Sequence, residues 1–167
     1  HPGLKGWATW HFQNSVTKFY WSAEERHTGR YSVAIGENQI SGCIQGAIPI
    51  EPGCRYRLSF YVKRTLATSA GATVRFLHDG KWYDSAGTVR CSYPQESIGQ
   101  WAKASTAFTA PQLPEGSKKL TMLLLLMAPL QAEGEWIWFD ETSAVHPLTT
   151  QQSAEHEPPH PFAVIDR

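Results

Sequence analysis

From Tyr56 to Lys63 the chain reads Tyr-Arg-Leu-Ser-Phe-Tyr-Val-Lys, with apolar and polar positions taking turns. Successive side chains of a strand leave opposite faces, so Leu58, Phe60 and Val62 are expected to enter a core and Arg57, Ser59, Tyr61 and Lys63 to line the other face. Cys43–Ile50 also reads as extended. Glu51-Pro52-Gly53 between the two is a turn, because Pro presets φ and Gly tolerates positive φ. Further strands are expected at Tyr31–Ile35, Ala72–Leu77, Thr88–Ser92, Trp101–Phe108, Leu120–Met127 and Trp136–Thr142. Each is short and bounded by Gly, Pro, Asp or Ser, as at His78-Asp79-Gly80 and Pro94-Gln95-Glu96. About eight short strands at this spacing predict an all-β chain, a β-sandwich jelly roll of two antiparallel sheets. No helical period of useful length appears, although Ser22–His27 and Leu66–Ala70 have room for a single helical turn.

One strand departs from alternation. Leu120-Thr121-Met122-Leu123-Leu124-Leu125-Leu126-Met127 offers almost no hydrogen-bonding group on either face. Either a loop or a neighbouring domain covers both faces, or the outer surface of its sheet is unusually apolar.

Composition narrows the partners. The chain has 167 residues, the size of one domain, with 12% aromatic and 18% charged residues. Fifteen Lys and Arg balance fifteen Asp and Glu, so no general field draws in a polyanion and nucleic acid is not an expected partner. The longest apolar run, Met122–Leu130, is broken at Pro129 and is far short of the roughly 20 residues that span a bilayer, so no membrane partner is expected. Three cysteines, Cys43, Cys54 and Cys91, are expected as buried thiols, with one bridge and one free thiol as the alternative. A sandwich over 1–148 is expected to lead into a polar, Pro-rich linker-like tail over 149–167. With His1 in place of an initiator Met, the chain reads as a piece of a longer polypeptide, with a processed product as the alternative.

Catalytic motifs are missing. The seven histidines are scattered without a His-x-x-x-His on a helix, and Pro158 and Pro159 interrupt the i,i+4 pair His156 and His160. There is no Cys-x-x-Cys, no Gly-x-Ser-x-Gly elbow and no phosphate-cradling glycine loop. Glu24-Glu25 and Asp140-Glu141 are adjacent pairs, which on a strand point to opposite faces and cannot flank one glycosidic bond. The chain alone is expected not to be an enzyme.

Five blocks in order carry a resemblance: Gly6-Trp7; His27 through Ile35; the turn Ile50–Gly53 followed by Tyr56–Lys63; Trp101 ahead of Phe108-Thr109-Ala110-Pro111; and Ile137-Trp138-Phe139-Asp140-Glu141. In these blocks the chain resembles the jelly-roll carbohydrate-binding modules of families 4, 9, 16 and 22, which are galactose-binding-domain-like. The resemblance implies a secreted, non-catalytic module that binds a polysaccharide or oligosaccharide across one sheet and targets an attached polysaccharide-degrading catalytic domain to it. The alternative is an accessory sandwich of a multidomain glycoside hydrolase or lyase that binds no sugar. Sugar binding needs flat apolar surface for pyranose rings and fixed polar groups for hydroxyls. By the resemblance Trp10 matches a stacking aromatic, Gln45 a glycan-binding amide and Arg75 a cleft arginine. Trp82 and Tyr83 fall near a second stacking position, and Tyr61 would line the same surface. Trp7 and Trp101 read as structural, and Trp138 suits core and surface equally. The family's structural calcium would take Asp140 as side-chain ligand and the Gly29 carbonyl as backbone ligand; a further ligand would come from a strand ahead of His1.

Overall fold

In the computed structural model the described residues are 7–11, 17–37, 42–65, 67, 69–129 and 131–145. Eleven strands run in the order β1 Trp7–His11, β2 Lys18–Ser22, β3 Ser32–Gly36, β4 Gly42–Ile50, β5 Arg55–Arg64, β6 Gly71–His78, β7 Lys81–Trp82, β8 Val89–Ser92, β9 Ala102–Thr109, β10 Leu120–Ala128 and β11 Trp136–Val145. Among the described residues the helical elements are two single 3-10 turns, at Asp84–Ala86 and Gln95–Ser97. Ser22 ends β2 and residues 23–25 form a bend, so the helical turn allowed at Ser22–His27 is absent. No helix there is long and apolar enough to cross a membrane. Residues 149–167 lie outside the described residues, as do Leu66 and Thr68.

The strands form two antiparallel sheets. The first runs β1-β4-β10-β6-β7, with β8 sharing the β6 edge; the second runs β2-β3-β11-β5-β9. Alternation in β5 sends Tyr56, Leu58, Phe60 and Val62 inward. In β10 the even positions Leu120, Met122, Leu124 and Leu126 meet them from the opposite sheet, beside Ile44 of β4 and Val74 and Phe76 of β6. Phe60, Tyr93 and Phe139 pack edge to face at 5.6–6.1 Å, filling the space between the layers. Trp7 joins this core.

Turn chemistry sets the register. Asp79 and Gly80 both have positive φ (47° and 77°), the geometry of the tight hairpin joining β6 to β7. Asp79 also caps the chain entering β10: its carboxylate accepts the N–H groups of Lys118 and Lys119 at 2.8–3.2 Å. Those bonds hold its carboxyl below the usual carboxylate range.

All three cysteines are free thiols, with Cys43 and Cys91 buried and Cys54 only half-buried, which corrects the expectation of three buried thiols. Burial pushes the Cys43 and Cys91 thiols up to about 11.

Candidate functional site

The apolar strand β10 runs through the middle of the first sheet, and its register with β4 and β6 decides what the outer face presents. Leu123 lies between Ala47 and Arg75, Leu125 between Gln45 and Thr73, and Thr121 between Pro49 and Leu77. At the β1 edge Trp10 sits beside Cys43, which pairs with Met127 of β10. At the other edge Trp82 of β7 sits beside Leu77. Residues paired across antiparallel strands share a face, so Trp10, Gln45, Arg75 and Trp82 all belong to this one outer surface.

Trp10 and Trp82 stand at diagonal corners of that surface and remain 44% and 50% exposed, the two most exposed large hydrophobic side chains among the described residues. Four strand spacings and three two-residue rows separate them, a diagonal of roughly 25–30 Å. Arg75 fixes the Trp82 corner: its guanidinium carbon lies 3.8 Å from the centre of the Trp82 ring, and one of its nitrogens donates to Asp84 at 2.7 Å. Held on two sides, the guanidinium covers one face of the indole, which stays half-exposed.

Two expected residues are elsewhere. Tyr83 follows Trp82 by one position, so it turns back toward the sandwich: its N–H donates to Phe76, its hydroxyl donates to the Gln112 carbonyl at 3.0 Å, and its ring meets the His78 edge. Tyr61 does face outward, but from the second sheet, where its ring stacks on His27 at 3.8 Å and His27 in turn lies 5.9 Å from Trp101. Neither lines the surface of Trp10 and Trp82. Trp138 shares the outer face of the second sheet, only 7% exposed, with the Lys63 ammonium 5.9 Å from its ring centre and its indole nitrogen without a hydrogen-bond partner.

Leu123, Leu125 and Met127 were not singled out one by one in the sequence, because an unbroken apolar run does not say which of its positions face outward. Asp84, the partner of Arg75, carries no signal beyond its place in the turn after Trp82.

Asp140 is fully buried at a β-bulge in β11, where the register slips between Asp140 and Ser143 and Glu141 takes a positive φ of 47°. The bulge turns both carboxylates onto the loop before β3. Asp140 accepts N–H bonds from His27 (2.8 Å), Thr28 (3.1 Å) and Glu141 (2.8 Å). Glu141 takes the Thr28 hydroxyl at 2.6 Å and the His27 ring nitrogen at 2.9 Å. Three N–H dipoles converge with their positive ends on Asp140, an environment built for the anion itself. Calcium takes six to eight oxygens, and no cluster of three or more His, Cys, Asp or Glu suited to a metal occurs among the described residues. As a calcium ligand beside the Gly29 carbonyl, Asp140 would share its oxygens between the ion and these three N–H groups.

Two antiparallel sheets closing on one core define a jelly-roll β-sandwich. No family model and no curated protein sequence matches the chain. Solved structures do. It is similar to the second family 22 module, a xylan-binding domain, of xylanase 10C from Paenibacillus barcinonensis, at 12% identity and a TM-score of 0.58, covering 87% of this chain and 93% of that one. Similar too is the Clostridium thermocellum xylanase 10B structure holding a family 22 module, a family 10 catalytic module and xylohexaose, at 13% identity and a TM-score of 0.59 over 86% of this chain. This chain spans only 26% of that protein's length. A similar likeness, at 14% identity and a TM-score of 0.55, joins it to a cyclase from Fischerella sp. TAU solved with an indolyl butanone, covering 86% of this chain and 87% of that one. At these identities the likeness establishes the fold.

Proposed function

We propose that this chain is a non-catalytic carbohydrate-binding module whose glycan crosses the outer face of the β1-β4-β10-β6-β7 sheet from Trp10 to Trp82. The observation that carries the reading is the pair of half-exposed indoles on one sheet face, one of them braced by Arg75. On this reading the two rings stack on pyranose faces, and Gln45 and the remaining Arg75 donors bind hydroxyls. Jelly-roll neighbours that bind xylan or sit beside a catalytic module support it. The module then works outside the cell, tethering a polysaccharide-degrading domain of the same polypeptide to its substrate and raising the local concentration. Asp140 acts here as a loop anchor in place of a calcium ligand.

Affinity electrophoresis against a panel of soluble polysaccharides tests the reading. At least one glycan retards the protein, and Trp82→Ala or Trp10→Ala weakens the retardation by about tenfold. Retardation by none of them, or retardation that survives both substitutions, overturns it. The first of these outcomes would favour a sandwich that packs against another domain without sugar, a role the apolar row on β10 also suits.

A further inference from the structure

The face between the two tryptophans is poor in the groups that bind hydroxyls. Its central row runs Thr121, Leu123, Leu125 and Met127, with Thr121 between Pro49 on β4 and Leu77 on β6 and with Ala47 of β4 beside Leu123. Polar groups sit to either side: Gln45 and Thr73 flank Leu125, and Arg75 flanks Leu123. A plain polysaccharide carries hydroxyls along both edges of every ring. Wherever those hydroxyls lie over the leucine row they leave water and find no partner, which disfavours the complex.

The arrangement suits a different decoration. We infer that this face recognises a polysaccharide carrying ester-linked acyl groups, of which O-acetyl is the simplest, an inference that rests on the glycan reading above. An acetyl group has two ends. Its methyl needs apolar cover, which the partly exposed Leu125 and Met127 supply at the centre of the face, with Leu123 buried beside them. Its carbonyl oxygen accepts a hydrogen bond without donating one, and the donors beside the leucine row are the Gln45 amide on one side of β10 and the Thr73 hydroxyl and Arg75 guanidinium on the other. Trp10 and Trp82 then take the pyranose faces at the two ends of the span. Acylation converts a hydroxyl that this surface cannot satisfy into a group that it can.

The test pairs naturally O-acetylated xylan, mannan and pectin with the same preparations de-esterified in dilute alkali, each titrated by affinity electrophoresis or calorimetry. At least one acetylated polymer binds about tenfold more tightly than its de-esterified partner, the discrimination a single small apolar group gives in an apolar site. Equal or tighter binding of the de-esterified polymers overturns this inference and leaves the glycan reading standing. Binding to no member of any pair overturns both. Leu125→Asn, checked for an unchanged melting transition, reduces the preference to less than about threefold, whereas Leu125→Met, which keeps apolar surface at that position, preserves it. A tenfold preference that persists in Leu125→Asn places the acyl group elsewhere and overturns the assignment.

Discussion

Asp140 of β11 is bonded to a loop more than a hundred positions earlier, and its removal has a calculable cost. The carboxylate is fully buried and accepts three backbone N–H bonds, from His27, Thr28 and Glu141. Hydrogen bonds to a charged group contribute about 1.5–3 kcal/mol each, but neighbouring bonds are not additive, and water reaches an orphaned N–H once the carboxylate is gone. About 1 kcal/mol per bond is a fair discount, so Asp140→Ala is expected to cost about 3 kcal/mol. Asp140→Asn keeps one acceptor oxygen and sets an NH2 group against the remaining N–H donors; about 2 kcal/mol is expected. For a chain of this size 1 kcal/mol moves the melting temperature by about 2–4 °C, so the two variants should melt roughly 6–12 °C and 4–8 °C below wild type.

Calorimetry with and without EDTA checks both halves of the argument. A resident calcium ion would stabilise the folded state by mass action, and chelation would lower the wild-type transition while leaving Asp140→Asn unmoved. The loop-anchor reading expects EDTA to move neither. Variants melting within about 1 °C of wild type would show the three bonds to be worth nothing, and an EDTA shift confined to wild type would return Asp140 to a metal.

Two further outcomes follow from the titratable groups. The Asp79 carboxyl is held below its ordinary range chiefly by the N–H bonds of Lys118 and Lys119, so its stabilisation is full above about pH 4 and is lost as pH falls through its lowered folded value. Denaturant melts of wild type and Asp79→Asn, whose side chain tolerates the positive φ, should therefore show a gap at neutral pH that narrows in acid; a gap constant with pH counts against the bonds. Burial keeps Cys43 and Cys91 protonated and covered, whereas Cys54 is partly open beside Glu51, so a thiol reagent should titrate one group in the native protein and three in guanidinium. Three native thiols reacting at once would refute that burial.

Which parts of this were legible in advance follows from how local each signal is. The eight expected strands all occur, because alternation and turn residues are properties of short windows; β5 even shows the expected faces. Three strands escaped. β1 is an edge strand exposed from Ala8 to Trp10, β2 places Phe19, Tyr20 and Trp21 in succession on both faces, and β7 is two residues long, so none of them alternates for long enough to read. The site residues divide on the same principle. Alternation correctly turned Tyr61 outward, but parity within a strand does not say which sheet the strand joins, and pairing of β5 with β9 and β11 put Tyr61 on the second sheet, against His27. Trp82 and Tyr83 are neighbours in sequence and so opposite in direction, and one residue of register separates an exposed ring from one packed on the core. The β10 run is the strongest case. Its composition allowed either a strand covered on both faces or an apolar outer surface, and only the pairing of Leu123 with Arg75 and of Leu125 with Gln45 turns a hydrophobic stretch into a face with donors at its sides. Chemistry on a sheet belongs to rows that cross strands, and a row draws each residue from a different part of the chain.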